Sequence, residues 1–275
     1  MTMGQSIPYK LVDDLPANEF YNLEGRQFSK SDGWTIDLDS FFQKFTADQI
    51  RYVIAANSPE TQDAEFTWKD FQSRVNADLL GKLGNFVNRV LVFVQQKAEG
   101  KVPLLGKLET IDQSFLEKVE HLTQECKVAY NSFQLRKACQ LIMEIAQAGN
   151  VYFDAKKPWV LAKDPLKLDE MYTTLRVCLE CIAKLALVSL PIIPESAKKM
   201  WKLLGKSDLL DDLTWDVISK ASLTEGVLLP LPEILFTKVE NEMITPYVEE
   251  LQKVIAAKEK TASLTSIKET VSIEE

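Results

Sequence analysis

The 275-residue sequence is 46% hydrophobic and 26% charged, and its 32 Lys and Arg against 40 Asp and Glu give a net charge of -8. This is ordinary globular composition, long enough for one large helical core or two small domains. A nonspecific nucleic-acid binder advertises itself by a strong positive balance, so DNA is not an expected partner and any RNA contact must be local and geometric.

The opening "MTMGQSIPYK" lacks both the apolar core of a signal peptide and the Arg-rich face of a transit peptide. The most apolar stretch, "CLECIAKLALVSLPII", is interrupted by Glu180 and Lys184 and is too short to span a bilayer. A soluble, cytoplasmic chain with no membrane partner is expected.

Residues 18–28, "NEFYNLEGRQF", read as strand, turn, strand, with Gly25 near the turn. The loop "QFSKS", Gln27, Phe28, Ser29, Lys30 and Ser31, follows. A Lys between two hydroxyls suits an anion such as a phosphate, although on its own such a stretch is more often a solvated loop. From Ala47 onward the pattern is helical. "ADQIRYVIAA", 47–56, is a short helix stopped by Asn57, Ser58 and Pro59. In the next segment Trp68, Phe71, Val75, Leu79, Leu83, Phe86, Val90 and Val94 recur every three or four positions, one stripe of a helix about eight turns long. Thr67 is placed to cap it, and "AEGKVP" ends it.

Further amphipathic helices are expected at about 108–128, 130–149, 165–190 and 194–204, with Pro191 and Pro194 marking a sharp junction. After Leu204 the pattern loosens into a connector with short pieces. A last helix is expected from about Pro246 to Lys258, capped by Thr245, followed by a disordered polar tail over 259–275. Long helices joined by short loops predict a mainly α protein, an antiparallel bundle preceded by a short β-hairpin.

Four cysteines occur, Cys126, Cys139, Cys178 and Cys181, the last two spaced C-x-x-C. That spacing can mean zinc or redox chemistry. Here it lies inside an apolar helical pattern with no second pair and with a single, distant histidine, His121, where zinc needs about four ligands. Structural burial of reduced thiols is expected, with no metal site.

Two places depart from ordinary helical composition. Gly81 and Gly84 lie in the interior of the long helix, where each costs about 1 kcal/mol relative to Ala and lets something approach the backbone closely. Asn85 and Arg89 follow one turn apart on the flank of the apolar stripe. Both side chains offer two-point hydrogen bonding to base edges, and both also suit an exposed polar face. In "NVYFDAKKPWVLAK", 150–163, Pro158 suits the first turn of a helix and holds Trp159 at a corner. A Trp there is either core, a lid over it, or a stacking platform for an unpaired base.

Taken together, the lysine loop, "ADQIRY", "DFQSRVNAD", "RVNADLLGKLGNFVNR", "N-x-Y-x-D-x-x-x-P-W", "LPIIPE" and "LTWD" occur in an order and spacing that resemble the C-terminal half of methionyl-tRNA synthetases, from about residue 8 to beyond 215. The resemblance implies a helical anticodon-binding domain of the class Ia synthetase type over 41–258. Residues 1–40 would be the trailing edge of a Rossmann-type catalytic domain.

It implies that Gln27 to Ser31 correspond to the K-M-S-K-S loop that closes over ATP during methionine activation. Lys30 would be the catalytic lysine, and Ser29 and Ser31 would match the serines. Gln27 and Phe28 depart from the first lysine and the methionine. It further implies that Trp159 stacks the first anticodon base while Asn85 and Arg89 hydrogen-bond the anticodon. The H-I-G-H-type motif and the parallel strands of the methionine pocket have no counterpart here. The expectation is therefore a portion of a methionine-tRNA ligase that binds methionine tRNA and is inactive alone. ATP with Mg would be used only in the complete enzyme, with an N-terminal synthetase half as a separate chain. The alternatives are a stand-alone, non-catalytic tRNA-binding module and a decayed relic.

Overall fold

A computed structural model describes residues 12–206, 210, 214–220 and 223–271. The opening residues 1–11, read above for targeting signals, lie outside it. A three-stranded sheet in the order β2-β1-β3 stands at the start, formed by β1 (Tyr21–Leu23), β2 (Arg26–Gln27) and β3 (Ala64–Phe66). The expected hairpin is present, Asn22 facing Gln27. Its two-residue turn has positive φ at both Glu24 and Gly25, the geometry whose twist matches the flanking strands. The parallel pairing of β1 with β3, Leu23 opposite Phe66, has no signal in the local sequence.

Two short helices follow, α1 (Leu38–Phe42) and α2 (Ala47–Ala56). The latter starts at a capping box in which Thr46 and Gln49 satisfy each other's backbone amides. The long helix is one rod of three parts: α3 (Trp68–Arg74), a π segment (Val75–Gly84) and α4 (Asn85–Lys97). Thr67 caps it as expected, its Oγ1 accepting from Asp70 N at 3.0 Å. All eight residues of the apolar stripe are buried.

The π register is the departure from a uniform α-helix, and the two glycines give its reason. In the wider helix the carbonyl five residues back swings under the side-chain position. A Cβ at Gly81 would sit 3.1 Å from Asn76 O, and one at Gly84 3.1 Å from Leu79 O.

The bundle proper is α5 (Thr110–Asn131), α6 (Leu135–Lys156) and α8 (Leu168–Ser189), mutually packed, with the short α7 (Pro158–Leu161) between the last two. The break between α5 and α6 falls at Ser132–Gln134, a few residues later than expected, where Phe133 adopts a left-handed φ of 57°. α8 is buried along nearly its whole length, and its Cys178 and Cys181 are free thiols with no exposure. Cys126 and Cys139 are likewise buried and free. Among the described residues no group of acidic, Cys or His side chains is arranged to hold a metal, and no helix is long and apolar enough to cross a membrane.

After α9 (Pro194–Leu203) and α10 (Trp215–Lys220), an extended segment runs back along the rod. Asn76 imitates a strand partner for it, donating to Val239 O and accepting from Val239 N, each at 2.8 Å.

The last helix, α11, spans Asn241–Val271. It begins earlier than Pro246, and Thr245 is inside it, its Oγ1 donating to Asn241 O rather than capping. Helical backbone also continues through Val271, over residues expected to form a disordered tail. A polar composition alone did not reveal the helix there. The four residues after it, 272–275, lie outside the described residues.

Candidate functional site

Asn85, Arg89 and Trp159 come together at one corner of the bundle, where the start of α4 meets the end of α6 and the short α7. Each is set there by local sequence. Gly149 on α6 lets Phe86 of α4 press against the helix backbone, since a Cβ at Gly149 would fall 2.5–2.7 Å from the Phe86 ring. That close approach brings the last turns of α6 alongside Asn85. Asn150 then accepts from Asn85 Nδ2 at 3.0 Å and donates to Lys82 O at 3.0 Å.

One turn further along, Arg89 lies with its guanidinium 5.0 Å from the centre of the Phe153 ring, and its Nη2 donates to Asp154 at 2.5 Å. Phe153 is buried, and its ring also neighbours Phe93, edge-on at 6.0 Å, and Trp159, at 6.0 Å and tilted by 51°.

The turn that presents Trp159 is unusual. Lys157 sits in the left-handed region at φ 47° and serves as both the end of α6 and the entry to α7. A non-glycine residue there is held by its surroundings. Its amide donates to Phe153 O, its carbonyl accepts from Val160 N, and Pro158 fills the first helical position.

Below the turn Lys156 is buried among Glu109, Asp112 and Glu170 at 2.7, 3.5 and 3.0 Å. Burial works against its charge, but the hydrogen bonds to Glu109 and Glu170 and the nearby Asp112 outweigh it and hold the ammonium above the ordinary lysine range. Tyr152 donates to Asp112 at 2.7 Å in the same network. The end of α6 is thereby fixed, and Trp159 stands out from it 39% exposed. It is therefore not core. An exposed indole, an Arg held between Phe153 and Asp154 and an Asn oriented by a second Asn form a platform with two hydrogen-bonding neighbours, suited to unstacked bases.

Asn150 and Asp154 stand at fixed positions of the N-x-Y-x-D-x-x-x-P-W run and Phe153 at an open one, and the run names no partner for any of them. The residues that orient a reader are legible only once the two helices are paired in space.

The lysine loop lies elsewhere, against the sheet and α11. Gln27 is in β2, opposite Asn22. Ser29 and Trp34 exchange both backbone hydrogen bonds at 2.9 and 2.8 Å, closing a tight turn around Lys30, and the Ser29 and Ser31 hydroxyls are 3.2 Å apart. Trp34 anchors the turn in the core through its Nε1 donating to Leu23 O at 2.8 Å. Lys30 is exposed, and with Phe28 it borders an open cleft of about 530 Å³ walled by Ile36, Leu38, Ile50 and Ile54.

His121 is exposed on α5, near Glu125, away from both places.

Comparisons with known proteins bear on the family of the chain. Residues 1–91 match the family model described as tRNA synthetases class I (M), and residues 102–255 match the anticodon binding domain of methionyl tRNA ligase. The methionine-tRNA ligase of Protochlamydia amoebophila is 53% identical over 263 residues, 96% of this chain and 38% of that protein. That of Chlamydia abortus is 42% identical over 249 residues, 87% of this chain and 45% of the relative. Among solved structures, Mycobacterium tuberculosis methionyl-tRNA synthetase in its apo form superposes with a TM-score of 0.72 at 27% identity, covering 82% of this chain and 43% of that one. The same enzyme bound by methionyl-adenylate gives 0.73, covering 79% and 43%. The chain thus spans less than half the length of the relatives it matches.

Proposed function

This chain belongs to the methionyl-tRNA ligase family, and on that premise we propose that it is the C-terminal portion of a methionine-tRNA ligase, recognising the methionine anticodon through Trp159, Asn85 and Arg89. The observation that carries this reading is the convergence of two separate stretches of sequence on one corner, Arg89 and Trp159 against Phe153 and Asn85 bonded to Asn150 on the same helix as Phe153. Trp159 stacks the first anticodon base, and Arg89 and Asn85 hydrogen-bond base edges.

The Gln27–Ser31 loop serves methionine activation. Lys30 is a cation on an exposed turn, placed where negative charge develops as pyrophosphate leaves, and the Ser29 and Ser31 hydroxyls accompany it. ATP and its Mg would be bound mainly by an N-terminal catalytic half. An apolar edge favours such a half over the stand-alone module, since Phe28, Leu38 and Ile54 are exposed in the cleft beside the loop.

The test is binding of the purified chain to methionine tRNA and to the same tRNA changed only in its anticodon, near physiological salt because electrostatic affinity depends steeply on it. A preference for the native anticodon is expected, and Trp159→Ala should weaken binding by about 1–3 kcal/mol while leaving the melting temperature nearly unchanged. Equal binding of both RNAs, or a collapse of stability in the Trp159 variant, would refute the reading.

A further inference from the structure

The lysine loop is short of positive charge. Gln27 stands where the resembling loop has its first lysine, and Asp32 follows Ser31, so Lys30 and Asp32 cancel within residues 27–32. The end of the chain returns to this place. Lys258 of α11 sets its Nζ 2.7 Å from Asp32 Oδ2, and a methyl of Val254 packs beside Gly33.

α11 is held in that position by contacts independent of the ion pair. Tyr247 stacks on the buried Trp68 at 4.3 Å and 20°, and its hydroxyl donates to Ser40 O at 2.9 Å, while Leu251 is buried.

We infer that Lys258 is a positioning residue for the lysine loop, neutralising Asp32 so that Lys30 presents net positive charge to a triphosphate. This rests on the reading of the loop given above. A lone carboxylate two residues from Lys30 would offset much of its attraction for a polyanion, whereas a closed Asp32–Lys258 pair is a dipole whose field falls off faster with distance. Lys258, followed by a hydrogen bond from Ser29, holds the Asp32 carboxyl below the usual range, in keeping with the short ion pair. An exposed pair of this kind adds little to fold stability, so variants of it report on charge rather than on folding.

The experiment is an amide NMR titration of the chain with inorganic tripolyphosphate at low ionic strength. It follows Lys30 and Ser31 in the parent and in Lys30→Ala, Lys258→Met, Lys258→Arg, Asp32→Asn and the Asp32→Asn/Lys258→Met double variant. Lys30→Ala should lose most of the binding. Lys258→Met should weaken it about three- to tenfold, and Lys258→Arg should keep it. The double variant should return to the parent level, because without Asp32 there is nothing to neutralise.

Parent-like binding by Lys258→Met, with Lys30→Ala impaired, would overturn the inference and leave the loop reading standing. Parent-like binding by Lys30→Ala would overturn the loop reading itself. A double variant as weak as Lys258→Met would mean that Lys258 meets the anion directly, which also overturns the neutralising role.

Discussion

Asn150 stands between Asn85 and the π segment, its Oδ1 accepting from the Asn85 amide at 3.0 Å while its own amide donates to Lys82 O at 3.0 Å and Ala146 O at 3.1 Å. One buried side chain thus orients a candidate base reader and pairs a carbonyl of the irregular helix that carries it. The π register and the reading residue are parts of the same construction, which accords with the tendency of such segments to sit at functional sites.

Asn150→Ala should therefore do two separable things. Lys82 O keeps the Asn85 backbone donor, so losing the Asn150 bond to it should destabilise the fold by about 1 kcal/mol. Releasing Asn85 should reduce discrimination between the native and altered anticodons even where Trp159 still stacks. Denaturant unfolding reads the first effect, and competition binding of the two RNAs reads the second. Full discrimination in a folded Asn150→Ala chain would show that Asn85 needs no such support.

Gly149→Ala tests the close approach on which the corner depends. Its new methyl would meet the Phe86 ring at 2.5–2.7 Å, so ring or helix must move. Overpacking of that kind costs about 1–3 kcal/mol. The urea midpoint should fall, and a Gly149→Ala/Phe86→Leu pair should recover part of the loss. An unshifted midpoint would mean that the two helices separate freely.

Much of this arrangement was legible in the sequence, and the exceptions have physical causes. The Ala47–Ala56 helix and the Thr67 cap follow from local rules and match the structure. The stripe from Trp68 to Val94 identified the buried face correctly, yet spacings of three and four fit a π turn nearly as well as an α turn. Only Gly81 and Gly84 marked the change of register. The β1–β3 pairing joins residues about forty apart, and nothing local encodes it. For α11, composition spoke of a loose tail after Lys258, whereas the helix continues to Val271. At the corner the sequence singled out the groups that would face RNA and passed over Asn150, Phe153 and Asp154 behind them, because their roles exist only between helices.

The four thiols give a prediction about pH. Burial pushes the Cys126 thiol up to about 12, against about 8.5 in an unfolded chain. The folded state keeps this proton where the unfolded state releases it. The associated stability is fully present below about pH 8.5 and declines as pH rises toward 12. A thiol reagent at pH 8 should modify none of Cys126, Cys139, Cys178 and Cys181 in the native chain and all four in denaturant. Rapid labelling of the native protein would contradict the burial of these thiols among α5, α6 and α8.

Arg89 offers the sharpest separation of charge from geometry. Its guanidinium lies over the Phe153 ring and is tied to Asp154, an arrangement that a planar fork suits better than a flexible ammonium. Arg89→Lys keeps the charge, so affinity for RNA irrespective of anticodon should change little, while discrimination should fall by about 1–3 kcal/mol, the range for a two-point contact to a base edge. Asp154→Ala removes an anion beside the RNA and frees the fork, so it should strengthen binding to both tRNAs and narrow the difference between them. Competition binding at two salt concentrations distinguishes the two effects, because only the charge component moves with salt. If Arg89→Lys discriminates as well as the parent, Arg89 contributes charge alone and the reading role belongs to Asn85 and Trp159.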